Sequence, residues 1–217
     1  ITPLSLRMSS AHKLKEGDEI VQTFETSNAK ELLFFTNKQQ VYKTSASFFE
    51  DSKASVLGDF VAAKLEMDEG EAPVYMAVTS DYSGYMLFFF ENGKVAKVEM
   101  NAYQTITKRK KLIKAYSDKS PLSAIMHIDS DKELVIVSSA GRHLLINTAV
   151  ILPKTTKDTI GVGVLTLKKG QRLITARDYR ENEFAKPYRY KAKNLPAAGA
   201  LLSAEDEGEQ ISLFGEE

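Results

Sequence analysis

The chain has 217 residues, 43% of them hydrophobic, enough to bury a sizeable core in one domain or in a row of small units. Its 29 basic and 29 acidic residues cancel, so the total charge points to no polyanionic partner, and the lack of cysteine excludes a disulfide scaffold and thiolate metal sites while fitting a reducing compartment. No apolar run approaches the roughly 20 residues that span a bilayer, so no membrane partner is expected; Ile1 begins neither a signal peptide nor a natural start, and the chain reads as a piece of a longer protein.

In chain order, two sequence elements alternate. The first is a turn leading into a strand: Leu14-Lys15-Glu16-Gly17 before Ile20 to Phe24, then Met67-Asp68-Glu69-Gly70 before Val74 to Val78. Tyr116 to Lys119 before Leu122 to Ile128 fills the third slot without its glycine, and Leu167-Lys168-Lys169-Gly170 before Leu173 to Ala176 is the fourth. The second element is a β-hairpin, clearest in Tyr85 to Met100. Tyr85 to Phe90 is a short aromatic-rich run that stops at Asn92-Gly93, a strong two-residue hairpin signal. Beyond the turn, Ala96, Val98 and Met100 point one way and Val95, Lys97 and Glu99 the other, which predicts a strand buried on one face only. The same hairpin recurs 54 residues earlier in Leu32 to Phe35 with Val41 and Lys43, and 48 residues later in Leu134 to Val137 with Gly141-Arg142. The first copy has Gln39 where the others have glycine, so its turn is expected to be of another type.

These copies predict an all-β, propeller-like tandem repeat of about four units of roughly 50 residues, near 10–60, 61–112, 113–160 and 161–193. Residues 107–116 suit a short helical turn or a linking loop, Tyr188-Arg189-Tyr190-Lys191 a closing or edge strand, and residues 194–217 a flexible tail beyond a domain spanning 1–193.

The neutral total conceals an uneven distribution. Between Lys168 and Lys193 nine basic residues face three acidic ones, whereas Ser203 to Glu217 holds six acidic residues and no basic one. A second basic cluster, Lys108-Arg109-Lys110-Lys111 with Lys114, follows the central hairpin. Basic residues on the rim of a β-scaffold neutralise phosphates and bind duplex DNA without reading its sequence. The alternative for any single lysine is a solvated, solubilising face.

LLFFTNKQQVYKT, YMLFFFENGKVAKVEM and KLKEGDEIV resemble blades of the C-terminal domain of bacterial type IIA topoisomerase A subunits, the DNA gyrase A and topoisomerase IV A group, over roughly residues 10–176. The resemblance implies a β-pinwheel: four-stranded blades that exchange strands with their neighbours and whose basic rim bends duplex DNA beside a separate cleavage core. It further implies as partners duplex DNA, the remainder of the A subunit and the ATPase subunit, in the bacterial cytoplasm at the nucleoid. Gyrase A subunits carry a glycine- and arginine-rich box after a hairpin. The corresponding loop here, Tyr103 to Lys111, keeps the positive charge but has no glycine. That departure favours a topoisomerase IV-like domain that presents DNA over one that wraps it. With about four repeats, either blades lie upstream or the pinwheel is small and open.

The expected phosphate contacts are Lys94, Lys108, Arg109, Lys110, Lys111, Lys114, Arg142, Lys168, Lys169 and Arg172. The rival reading is a propeller-like protein-interaction module that binds no DNA. No cofactor, metal or catalytic residue is expected in this fragment of an ATP-dependent isomerase. His12, His127 and His143 share no ligand spacing, Gly161-Val162-Gly163 is too short for a nucleotide cradle, and Tyr103 is a packing aromatic. His127 reads as a strand residue satisfied by a neighbour. In the acidic tail, Gln210-Ile211-Ser212-Leu213-Phe214 resembles the pentapeptide with which bacterial proteins dock onto the replication sliding clamp, Gln210, Leu213 and Phe214 filling adjoining pockets; the alternative is that Leu213 and Phe214 tuck back onto their own domain. The tail's acidity also suggests competition with DNA for the basic rim.

Overall fold

The computed structural model describes residues 16–17, 19–27, 29–52, 58–105 and 110–207. They build three antiparallel four-stranded sheets in two compact units, Ile1–Tyr82 with Tyr103–Ala115, and Ser83–Ala102 with Tyr116–Glu217.

The first unit holds one sheet. Strands β1 (Glu31–Thr36) and β2 (Val41–Ser45) form its hairpin, β3 (Pro73–Thr79) pairs with β1, and β6 (Lys111–Leu112) completes the order β3-β1-β2-β6. A single helical turn, α1 (Val61–Lys64), helps cover Leu32, Phe34, Tyr42, Ala46 and Phe49. The second unit holds two sheets. In one, hairpin β4 (Tyr85–Phe90) and β5 (Lys94–Glu99) is flanked by β7 (Leu122–Ile128) and β10 (Val162–Gly163). In the other, β8 (Glu133–Ser138) and β9 (Arg142–Asn147) are flanked by β11 (Leu173–Asp178) and β12 (Ala200–Leu201). Leu87, Phe89 and Val95 of one pack with Leu134, Ile136, Leu144 and Leu173 of the other in a common core.

The hairpins lie where the sequence puts them, but each sheet extends beyond its own repeat window. It consists of a hairpin, the turn-plus-strand that follows, and a two-residue strand from beyond the next stretch of chain. Of the four turn-plus-strand copies, three therefore become β3, β7 and β11. Ile20 to Phe24 is not a strand among the described residues; the Gln22 side chain meets β3, its Oε1 accepting from the Met76 N–H (2.8 Å) and its Nε2 donating to the Met76 carbonyl (3.4 Å).

Four local expectations are corrected. First, β5 is buried on both faces, and Lys97 is only 3% exposed. Its ammonium donates to Asp131 Oδ1 (2.6 Å) and the Thr148 carbonyl (3.2 Å) and lies 4.4 Å from the Tyr85 ring centre. Period-2 alternation marks such a lysine as solvated because it cannot register a carboxylate 34 residues away. Second, all three hairpins use a three-residue loop, with i to i+3 bonds from Gln39 N–H to the Thr36 carbonyl, Gly93 N–H to Phe90 and Gly141 N–H to Ser138. Gln39 adopts the same left-handed conformation (φ 53°) as Gly93 (81°) and Gly141 (71°), so the turn type is common to all and only its residue differs. Third, residues 110–112 run as strand β6 and its lead-in, whereas Pro187–Arg189 is a 3-10 turn instead of a strand. Fourth, the fold continues past residue 194: β12 pairs with β9, and Asp206 is fully buried, accepting from the Tyr190 and Ser203 hydroxyls and the Ala185 N–H.

Candidate nucleic-acid interface

The three repeat turns occupy one position in the fold. In each sheet the N–H of the residue after the hairpin's first strand bonds to the residue that precedes the flanking strand. Asn37 N–H donates to the Ala72 carbonyl (3.1 Å), Glu91 N–H to Pro121 (2.9 Å) and Ser139 N–H to Arg172 (2.8 Å). This bond superposes Asp68-Glu69-Gly70-Glu71-Ala72, Ser117-Asp118-Lys119-Ser120-Pro121 and Lys168-Lys169-Gly170-Gln171-Arg172, residue on residue. Even the internal brace is reproduced: Glu71 Oε2 accepts the Asp68 N–H (3.0 Å) as Gln171 Oε1 accepts the Lys168 N–H (3.0 Å). The first and third turns share their backbone, with Gly70 (φ 70°) and Gly170 (φ 81°) both left-handed, and along the three aligned turns the side-chain charge runs from minus three through zero to plus three.

In the second unit, the turn preceding β11 sits between the two hairpin loops. Leu173 N–H donates to the Glu91 carbonyl (3.0 Å) and Arg172 N–H to Ser139 Oγ (3.0 Å). Lys168 and Lys169 are exposed, and neither ammonium has a carboxylate within 4.0 Å among the described residues. Arg172, with a side chain 60% exposed, has only Glu91 at 3.9 Å. Lys94 stands half-buried at the start of β5, its N–H on Asn92 Oδ1 (3.1 Å). Arg142 begins β9 and spends one guanidinium N–H on the Gly199 carbonyl (2.9 Å), which fixes its direction, and it has no carboxylate within 4.0 Å among the described residues. Five of the ten expected contact residues thus share the hairpin-loop end of the second unit. At the other end of the third sheet an open cleft is lined by Lys132, Glu133, Asp178, Tyr179 and Glu181, with Lys132 paired to Asp178 (2.8 Å).

The first unit treats its cations differently. Lys111 Nζ is 2.7 Å from Asp68 Oδ2 and 5.4 Å from the Tyr42 ring centre. That bond raises the Lys111 pKa and lowers that of Asp68, the sign of two charges already neutralising each other. Lys38 in the first hairpin loop donates to the Glu69 carbonyl. Glu71 is buried and accepts from the Thr36 and Tyr42 hydroxyls, and burial together with Glu71 pushes the Tyr42 phenol up. Lys110 and Lys114 are exposed, Lys114 at φ 52° one residue before the Ala115 N–H that donates to the Gln39 carbonyl (2.8 Å). Lys108 and Arg109 lie outside the described residues, as do Gln210, Leu213 and Phe214.

Sequence reasoning found the cations but missed the charge series along the three turns. The series was available from the alignment of the repeats; what hid it was the glycine missing from the middle copy, where Lys119 stands at the position of Gly70 and Gly170. Two of the histidines are satisfied locally, His127 Nε2 by the Ser83 carbonyl and His143 Nδ1 by the Gly141 carbonyl, each at 3.1 Å; His12 lies outside the described residues. Among the described residues no three His, Asp or Glu side chains are placed to hold a metal ion, and no helix is long and apolar enough to cross a membrane.

No protein-family model matches the chain. It is similar to the DNA gyrase A subunit of Clostridium acetobutylicum, 26% identical over 143 residues, which cover 64% of this chain and 17% of that protein. The chain thus spans less than a fifth of that relative. Among solved structures it is similar to the C-terminal domain of DNA topoisomerase IV, with a TM-score of 0.73 at 20% identity over 88% of this chain and 64% of the other. The C-terminal domain of DNA gyrase A gives a TM-score of 0.54 at 20% identity over 81% of this chain and 56% of the other. The fold is that of these C-terminal domains, the β-pinwheel.

Proposed function

We propose that this chain is the DNA-holding C-terminal domain of a type IIA topoisomerase A subunit, supplying contacts and no chemistry of its own to strand passage. The observation that carries the reading is the hairpin-loop end of the second unit. There Lys94, Arg142, Lys168, Lys169 and Arg172 share one end of two sheets, with Glu91 the only carboxylate among the described residues within 4.0 Å of any of them. Such an array meets phosphates without presenting an element to a groove, so binding is to duplex DNA irrespective of sequence.

The topoisomerase IV-like alternative within this reading is supported by the loop Tyr103 to Lys111, which contains no glycine, and by the higher TM-score to the topoisomerase IV domain, 0.73 against 0.54. On this reading the domain presents a segment of DNA to the enzyme instead of wrapping it, in a complex with the rest of the A subunit and the ATPase subunit. Docking of Gln210, Leu213 and Phe214 onto the sliding clamp is a separate proposal, tested by titrating a peptide of residues 203–217 against purified clamp, with Leu213→Ala/Phe214→Ala as control.

DNA binding is tested by fluorescence anisotropy of the whole chain with a labelled random-sequence duplex from 50 to 200 mM salt. Five phosphate contacts give a log–log slope of about −4.5 and a loss of several hundred-fold, of order 10², over that range. A flat response, with capture of proteins and no DNA, returns the molecule to the protein-interaction reading.

A further inference from the structure

The three superposed turns do not offer DNA the same surface. In the first sheet, Asp68, Glu69 and Glu71 occupy the turn, and the nearest cations are already engaged: Lys111 by Asp68 at 2.7 Å, Lys38 by the Glu69 carbonyl. In the middle sheet, Asp118 and Lys119 pair with each other at 3.3 Å. In the third, Lys168 and Lys169 are exposed and unpaired among the described residues, and Arg172 has only the 3.9 Å approach of Glu91. The bond that ties the turn to its hairpin is made three times, and the first and third turns also share the left-handed glycine and the side-chain brace, so this backbone is held with either sign of charge. The brace that Glu71 makes to the Asp68 N–H is made in the third turn by the neutral Gln171.

We propose that the repeats are electrostatically graded, with the third turn, Lys168 to Arg172, as the anchoring contact for duplex DNA and the first turn, Asp68 to Glu71, as a surface that turns the duplex away. This rests on the DNA-binding reading and adds a gradation to it: the third turn holds the duplex and the first does not. Glu69 stands where the third turn has Lys169, an exposed carboxylate that withdraws a phosphate contact and repels the neighbouring phosphate, while Asp68, at the place of Lys168, is neutralised by Lys111 and only withdraws one. Lys111 is then a structural cation in the first sheet, which explains why a lysine inside a basic run is spent on Asp68.

Anisotropy with the same labelled duplex and the whole chain tests it. At 0.1 M salt each phosphate contact contributes about eightfold in affinity, so Lys168→Gln/Lys169→Gln weakens binding roughly ten- to a hundred-fold and flattens the log–log slope by about 1.8. Both side chains are exposed, so an unchanged melting temperature establishes that the loss is one of contact. Lys38→Gln, the corresponding loss of a cation from the first hairpin loop, leaves affinity within twofold. Glu69→Lys, whose side chain has no partner among the described residues, tightens binding and steepens the slope. If the parent binds with a steep salt dependence but Lys168→Gln/Lys169→Gln changes affinity less than twofold, or Lys38→Gln costs as much as that pair, the gradation is wrong and DNA binding stands. If the parent shows no salt-dependent binding, both fall together.

Discussion

Lys97 offers the sharpest test of how the second unit is held together. Its ammonium is buried, with a side chain 2% exposed, while its partner Asp131 is 38% exposed and also accepts from the Thr148 hydroxyl (2.7 Å). The pair is therefore asymmetric. Lys97→Met keeps most of the packing, removes the cost of desolvating an ammonium, and lets Asp131 rehydrate. What it leaves behind is the buried Thr148 carbonyl without its 3.2 Å donor, so we expect a loss of about 2 kcal/mol. Asp131→Ala strands the buried cation instead and should cost more, about 3 kcal/mol, although the deleted group is the more exposed of the two. In the Lys97→Met background Asp131→Ala should cost under about 1 kcal/mol, giving a strong coupling in a double-mutant cycle. Urea unfolding measures it, with an unchanged m-value showing that the shift in midpoint is a shift in stability. The third sheet supplies a natural control: Leu145, opposite Val135 as Lys97 is opposite Leu87, is an apolar side chain at the same register. Additive costs, or a Lys97→Met variant as stable as the parent, would refute the reasoning.

Other perturbations follow from the same geometry. Gly161 sits at φ 74° with its missing Cβ 2.4 Å from the Val95 carbonyl oxygen and 2.5 Å from its carbon, so Gly161→Ala should cost 3 kcal/mol or more, of order several degrees in melting temperature. Gln39→Gly removes a left-handed glutamine from the first hairpin loop and is expected to stabilise by roughly 0.5–1 kcal/mol in thermal unfolding, despite losing the 3.3 Å bond to the Asn37 carbonyl. Burial opposes the charge on Asp206, but hydrogen bonds from Ser203, Tyr190 and the Ala185 N–H outweigh it and hold the carboxyl below its usual range. A carboxyl whose folded pKa is depressed contributes stability above the unfolded value of about 3.9, lost as pH falls through the folded one. Asp206→Asn should therefore flatten the acid limb of a stability–pH curve below about pH 4; an unchanged limb would place the acid lability elsewhere.

How far the sequence reveals this molecule depends on the range of the interaction involved. Hairpins and turns are local, and Leu32 to Phe35, Met86 to Phe89 and Leu134 to Val137 were legible because an apolar run, a turn and a second strand lie within about 15 residues. The two-residue strands were not legible, because Lys111–Leu112, Val162–Gly163 and Ala200–Leu201 have no pattern of their own and are strands only by virtue of the edge they meet. The same limit governs the charges. A basic run in sequence contains both solvated and engaged lysines, and nothing near Lys111 announces Asp68, 43 residues away, just as nothing near Lys97 announces Asp131. The exposure of Lys168 and Lys169 was legible because exposure in a turn is a local property.

The late arrival of β6 sets an order on synthesis. The first sheet lacks its fourth strand until the ribosome has made the whole second hairpin and reached Lys111–Leu112, so a nascent chain that ends at residue 105 carries β2 with an open edge from Val41 to Tyr42. Cutting the gene at a sequence repeat would create that same unfinished edge permanently. A truncation that respects strands instead of repeats must keep residues 110–112 with the first unit, and a duplication of one repeat must insert a hairpin together with the two-residue strand that closes the sheet before it.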